Sequence, residues 1–408
     1  MSKLEELIQK YCPRGVSYVP ISSIGTIKRG NGLQKKDFAE SGVGCIHYGQ
    51  IYTRFNTFAY KPLTYVSEEL ASHLLHVKKG DLVIACTSEN VEDVCKAVAW
   101  LGDDDIVTGG HSCVLHHNQD PKYVAYFFQT EGFQQQKKKY AYGTKVIDIK
   151  PDNIGKILIP LPPLPVQKEI VRILDTFAEL QAELQAELQK RLQQYNYYRD
   201  YLLSFEGRDD VECFPLNKVG TFIRGKRFVR NDIVDEGYPC IHYGDMYTFY
   251  GISAIKTKTN INPDLAIKLR FAHKNDVIIV GAGENDEDIG VGLAWLGDSS
   301  PAVHDACYIF SHKQNPKYIS YFLRTHTYHQ QIKKYVSSAK ISAISAAGIG
   351  KAIIPIPSLE EQARIVKVLD KYDILTSDLT EGIPAEIKAR QQQYEYYRDM
   401  LFSFKHAV

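Results

Sequence analysis

The side chains best equipped for chemistry in this chain occur in matched pairs. Arg29-Gly30 recurs 195 residues later as Arg224-Gly225, and Lys145 recurs as Lys340. The pentapeptide CIHYG runs from Cys45 to Gly49 and again from Cys240 to Gly244. It brings His47 and Tyr48 in the first copy and His242 and Tyr243 in the second, followed by Tyr52 and Tyr247. These residues make no nucleophile–base pair and no metal-ligand spacing. Guanidinium and ammonium groups hold phosphate, whereas imidazole, phenol and amide groups reach base edges or stack on them. The chemistry on offer is binding rather than bond-making.

Segments that the copies share suit backbone grip, and segments that differ suit base reading. Arg29, Arg224, Lys145 and Lys340 are the shared cations, with Gly30 and Gly225 permitting close backbone approach to a ligand. Gln50 and Asp245 stand at equivalent positions and differ; Gln matches adenine, and Asp matches the cytosine amino group. The most divergent stretches are 31–36 against 226–231, 54–76 against 249–271, and 142–148 against 337–343. The first of these contributes Lys35 and Lys36 in one copy, Lys226 and Arg227 in the other. If 44–51 is a strand, alternation puts His47 on one face and Ile46 with Tyr48 on the other.

The positioning elements are written twice as well. AWLGD at Trp100 returns at Trp295, and the 195-residue register holds without a gap from residue 20 to residue 175. Each copy reads as an α/β module followed by a helix. Strands are expected at 44–51, 81–86, 98–101 and 112–116, with a turn at Gly102-Asp103 between the last two. A short helix starts at Pro121 behind Asp120, and a second spans 132–142 and stops at Gly143. Residues 157–163 form an extended strand whose prolines exclude the sheet centre. From Pro165 to Phe205 apolar residues step by threes and fours through strong helix formers, predicting one helix of roughly 60 Å. So narrow a stripe asks for a partner helix. Inside it AELQ begins at Ala178 and Ala182, and AELQK at Ala186. One such unit advances a helix by about 6 Å and turns it about 400°, so it acts as a length module. In the second helix four extra residues fall near 381–387, where Gly382 and Pro384 should break it. The N-terminal 4–11 resembles the tail 394–404, which closes the repeat circularly.

Composition narrows the classes. The chain has 408 residues, a formal charge of +1 and eight cysteines. No cysteines pair as C-x-x-C, so reduced thiols in a cytoplasmic protein are expected. The N-terminus is charged rather than signal-like, and no apolar run is long enough to span a membrane. The near-neutral charge is unlike a self-sufficient nucleic-acid binder. The acidic runs 89–93 and 284–288 read as solvated loops or caps rather than metal sites.

One motif carries a family likeness. Ile159-Pro160-x-Pro162-x-Leu164-x-x-Gln167-x-x-Ile170-Val171-x-x-Leu174-Asp175 returns as Ile354-Pro355-x-Pro357-x-Leu359-x-x-Gln362-x-x-Ile365-Val366-x-x-Leu369-Asp370. This strongly resembles the specificity subunit of Type I restriction–modification systems, over almost the whole chain. The resemblance implies an α+β fold: two similar α/β target-recognition domains separated by two long antiparallel helices forming a coiled coil, with a pseudo-twofold internal repeat. The division is 1–160 for the first domain with its N-terminal helix, 161–208 for the central spacer, 209–355 for the second domain and 356–408 for the C-terminal spacer. It implies a non-catalytic subunit that binds no cofactor and no metal. Its partners would be double-stranded DNA with a bipartite target, two methyltransferase (M) subunits and restriction/motor (R) subunits. Each domain would take half of the site, and the spacers would set the gap. Absence of N-P-P-[FY], of a glycine-rich S-adenosylmethionine loop and of G-x-x-x-x-G-K-[ST] agrees. Docking onto partner subunits would fall to Leu180, Leu184, Leu188, Tyr197, Tyr198 and Arg199, and to Tyr396, Tyr397 and Arg398. The competing reading is a coiled-coil protein-interaction scaffold with no DNA role.

Overall fold

The computed structural model describes residues 2–337, 341–378 and 380–407. The chain divides into two compact units, Met1–Leu184 with Ile387–Val408, and Gln185–Glu386. The 41-residue helix Leu164–Ser204 contributes to both.

In the first unit a five-stranded sheet runs in the order Gly25–Arg29, Ser112–His117, Leu82–Ala85, Ala97–Trp100, Phe58–Ala59. Only the last pairing is parallel. A four-stranded sheet has the order Thr64–Val66, Val43–Ile46, Ile106–Thr108, Leu75–Val77. The central strand Leu82–Ala85 is buried throughout, as its unbroken apolar run requires. Trp100 is fully buried and keeps its indole N–H satisfied on the Asp104 carbonyl at 2.9 Å.

The second unit repeats this order with Gly220–Arg224, Cys307–His312, Val277–Val280, Gly292–Trp295 and Ser253–Ala254. Each begins 195 residues after its counterpart. Trp295 donates to the Ser299 carbonyl at 2.8 Å.

The helix root is where sequence motif becomes architecture. Gln167 is fully buried. Its Nε2 donates to the Pro162 carbonyl at 2.7 Å and to Gln119 Oε1 at 3.0 Å; its Oε1 accepts the Asp120 N–H at 3.1 Å. Gln362 repeats all three bonds with Pro357, Gln314 and Asn315. Lys122 and Tyr126, on the helix Pro121–Phe127, both reach Asp175, at 2.7 and 2.8 Å. Lys317 and Tyr321 do the same to Asp370. The expected proline strand is present as Leu158–Pro160, paired only with Tyr18–Pro20. Circular closure is present too: Val16 bridges His406, and the Tyr18 and His406 rings stack at 4.1 Å.

Within the first unit the helices pair antiparallel, with Phe177 on Tyr397 at 5.6 Å and Gln181 on Gln391 at 2.7 Å. The second helix is broken as expected, into Leu359–Ser377 and Ile383–Leu401. Pro384 takes the second position of the new helix, where a missing N–H costs nothing.

Four expectations are corrected. Residues 44–51 are not one strand: Val43–Ile46 ends at His47, which caps a helix Tyr48–Thr53. His47 Nδ1 accepts the Gly49 N–H and Gln50 Oε1 accepts the His47 N–H, a local capping box that outweighs alternation. The face assignment for His47 and Tyr48 falls with the strand. Between Ala97–Trp100 and Ser112–His117 lies a further strand, Ile106–Thr108, in the other sheet, so no simple turn at Gly102-Asp103 joins them. The second helix is Glu131–Lys138 and stops short of Tyr142, which instead pairs antiparallel with Asp148 around Gly143 at φ +117°. Cys86 and Cys113 are disulfide-bonded rather than reduced, because strand pairing sets their Cα atoms 6.3 Å apart in the core. Among the described residues no helix is long and apolar enough to cross a membrane.

Two consequences are measurable. Replacing Gln167 or Gln362 by Leu strands several buried polar groups and should cost roughly 2–4 kcal/mol in urea unfolding. His117 and His312 occupy equivalent sites, and burial pushes each down to about 4. The unfolded chain, near 6.5, binds more protons below that pH, so stability is complete above it and drains away toward pH 4, by roughly 3 kcal/mol per site. Urea titrations at pH 7.5 and 5 should show this loss, flattened in a His117→Gln, His312→Gln double variant.

Candidate nucleic-acid interface

In the first unit the loops leaving the two sheets at one end are stitched together. Gly30 follows the edge strand, and a Cβ there would lie 2.5 Å from the Gly109 carbonyl, so its close approach is to its own fold. Arg29 donates from Nε to the Gly110 carbonyl at 2.9 Å and clasps Asp148 with its terminal nitrogens. Lys35 and Lys36 stay exposed on the turn Lys35–Asp37. His47 is buried, and burial, then Lys35 and His111, push its pKa down, so it is neutral at pH 7. Tyr48 lies between two imidazoles, His47 at 4.5 Å and His111 at 4.7 Å. His111 Nδ1 is 2.9 Å from Thr87 Oγ1, and Thr87 pairs with Asp148 at the base of the hairpin that exposes Lys145.

The second unit builds the same cluster. Gly225 would drive a Cβ to 2.2 Å from the His304 carbonyl. Lys226 and Arg227 are exposed, and Arg224 donates from Nε to the Asp305 carbonyl at 2.8 Å. His242 caps Tyr243–Thr248 through the Gly244 N–H, and Tyr243 again lies between imidazoles, His242 at 4.5 Å and His304 at 5.1 Å. Lys340 lies outside the described residues.

Several expected readers are committed internally. Gln50 Nε2 donates to Thr64 Oγ1 at 3.2 Å while its Oε1 holds the cap. Asp245 is buried between Lys258 at 3.2 Å and Thr259 at 3.0 Å. Tyr52 and Tyr247 are struts, donating to the carbonyls of Thr87 at 2.6 Å and Ala282 at 3.2 Å. Burial pushes both phenols well up.

Sequence reasoning passed over His111 and His304. They stand in a tripeptide that differs at every position between copies, Gly109-Gly110-His111 against His304-Asp305-Ala306. An imidazole reaches the same tyrosine from two non-equivalent positions, a substitution that only the folded loops reveal. The acidic run 89–93 is a capped turn, with Asn90 and Asp93 bonded at 2.8 and 2.7 Å.

The helical residues sort by exposure. Tyr197 and Tyr396 are 64% and 67% exposed, and Leu180 is 45% exposed. Leu184 and Leu188 are half-buried. Tyr198 stacks on Tyr372 at 5.6 Å, as Tyr397 does on Phe177, so these two close helix pairs. Arg199 and Arg398 pair with Asp200 and Asp399 and lie over Tyr195 and Tyr394, each at 5.7 Å. Asp399 then accepts the Glu131 N–H at 2.9 Å, and Asp200 the His326 N–H at 3.3 Å. These arginines tie each helix internally.

With this geometry the chain matches the family model described as Type I restriction modification DNA specificity domain twice, over residues 13–194 and 208–389. It is 35% identical over 305 residues to the specificity subunit of the Escherichia coli Type I restriction enzyme EcoR124I/EcoR124II, covering 69% of this chain and 70% of that one. Among solved structures, the fold matches a chain from work on complex assembly and conformational transition of the type I R-M system. That match has TM-score 0.64 and 16% identity and covers 96% of this chain and 98% of the other. The HsdS subunit from Thermoanaerobacter tengcongensis matches with TM-score 0.51 and 18% identity, covering 96% and 97%. Two copies of the family domain, each with its helix root and loop cluster intact, establish that this chain belongs to the Type I restriction–modification specificity subunit family.

Proposed function

We propose that this chain is the DNA-reading subunit of a Type I restriction–modification enzyme. Each target-recognition domain, 1–160 and 209–355, takes one half of a bipartite duplex site. The spacers, 161–208 and 356–408, set the gap and receive two M subunits, with R subunits joining the complex in the cytoplasm. The chain does no chemistry of its own. The observation that carries this reading is the duplication: one loop cluster, built twice on one scaffold, with different residues at its tips. A bare interaction scaffold has no use for two such clusters.

Contacts are assigned accordingly. Lys35, Lys36 and Lys145 in the first domain, and Lys226 and Arg227 in the second, suit phosphates. Tyr48 with His111, and Tyr243 with His304, suit base edges or stacking. The formal charge of +1 supplies little non-specific attraction, so M subunits provide much of the grip. Tyr197 and Tyr396, exposed at equivalent points of the two helices, are the proposed anchors for M, because exposed aromatics serve interface cores.

Three measurements test this. A mobility-shift assay of the chain with its M partner should show binding to a duplex carrying the bipartite sequence found by methylation mapping; absence of any shift would sink the reading. Deleting residues 182–185 should change the gap in the methylated sequence and leave both half-sites intact. Tyr197→Ala with Tyr396→Ala should leave the melting temperature of the lone chain within a degree or two yet weaken M binding at least tenfold. Tyr198→Ala, by contrast, should lower stability by roughly 1–3 kcal/mol.

A further inference from the structure

The two units keep one arginine and treat it oppositely. In the first, all three side-chain nitrogens of Arg29 are engaged. Its Nε is on the Gly110 carbonyl, and its terminal nitrogens hold the two Asp148 oxygens at 3.1 and 2.6 Å. Tyr142 adds its hydroxyl to the same carboxylate at 2.9 Å. This clasp ties the edge strand to the hairpin at 142–148. A bidentate pair of that geometry occupies the paired-nitrogen edge of the fork, the edge that would meet a planar acceptor pair on a ligand.

In the second unit Ala343 stands where Asp148 does, and Ser337 where Tyr142 does. Arg224 retains the bond from Nε to the Asp305 carbonyl at 2.8 Å, so the guanidinium is aimed the same way. Its terminal nitrogens have no partner among the described residues; His304 Nδ1, 3.3 Å from the Asp305 carboxylate, accepts the Ala306 N–H at 3.1 Å. Arg224 lines a cleft of about 350 Å³ with Gly281, Ala282, Asp305, Ser337 and Ala343. Arg270, replacing Leu75 of the first copy, donates to the Arg224 carbonyl at 2.5 Å and adds a second exposed cation.

We infer that Arg224 is a target-contacting residue of the second domain and that Arg29 is not one in the first: loss of a single carboxylate turns an internal clasp into an open, pre-oriented fork. Its acceptor is a planar oxygen or nitrogen pair on DNA, either the guanine O6/N7 edge or two phosphate oxygens. The inference rests on the DNA-reading function proposed above. It also makes the two half-sites unlike at the point this side chain reaches, despite the likeness of the domains.

The test restores the missing carboxylate. The full chain is assembled with its M partner, and the probe is a duplex bearing the sequence that methylation mapping finds for the wild type. Ala343→Asp should neutralise the fork from within, and Arg224→Gln should remove it. Each should weaken binding by roughly 5- to 150-fold and relax or abolish methylation of one half-site only. A loss specific to one base pair identifies a guanine edge; a uniform loss with a salt slope lower by about one identifies a phosphate. Arg29→Gln should lower the melting temperature while both methylated half-sites keep their sequence. Unchanged affinity in Arg224→Gln, or in a folded Ala343→Asp, overturns the inference. If Ala343→Asp does not fold, Arg224→Gln decides alone. A wild-type complex that methylates no bipartite sequence overturns the function itself, and this inference with it.

Discussion

A buried amide at the root of each helix is the contact on which the rest of the structure depends. Gln167 and Gln362 are fully enclosed, and each satisfies a proline carbonyl, a neighbouring glutamine and the backbone N–H that opens the next helix. A buried polar group is tolerable only when its bonds are made, and these geometries leave no slack. Asp175 and Asp370 lock the same joint with a lysine and a tyrosine each. A helix that could pivot on its module could not serve as a ruler. The joint therefore links packing to proposed function directly.

Above that joint the scaffold is conservative and the tips are free to vary. The five-stranded sheets of both units keep their strand order, and each buries its central strand throughout. The loop cluster sits where the strands end, so a substitution there alters no core packing. Asp148 against Ala343, and the tripeptide at 109–111 against that at 304–306, are changes of this kind. They rearrange which donors face outward while leaving the frame untouched. Recognition can thus diverge between two copies of one domain at little cost in stability.

The circular closure adds a constraint of its own. The first unit is completed by residues from the far end of the chain: Val16 bridges His406, and Tyr394 donates to Gln129 Oε1 at 3.1 Å. Each unit takes helix from sequence outside the span of its sheets. Stability and the proposed spacing role are consequently coupled, since the same helices finish the cores.

The sequence alone determined the repeat, the family, the helix root and the broken second helix, because each depends on short-range signals: residue identity at a fixed offset, a three–four apolar step, a proline at a helix start. It also marked the loop 31–36 and the hairpin 142–148, though not the loop that carries His111. Tertiary structure decided which side chains those loops can spend. Gln50, Asp245, Tyr52 and Tyr247 read as plausible DNA contacts, and the fold gives each an internal partner in Thr64, Lys258, Thr87 and Ala282, brought in from elsewhere in the chain. Arg29 and Arg224 each precede a glycine at matching positions, and a partner 119 residues away distinguishes their bonding. A hydrogen bond has two ends, and the second end is set by packing, which no local pattern encodes.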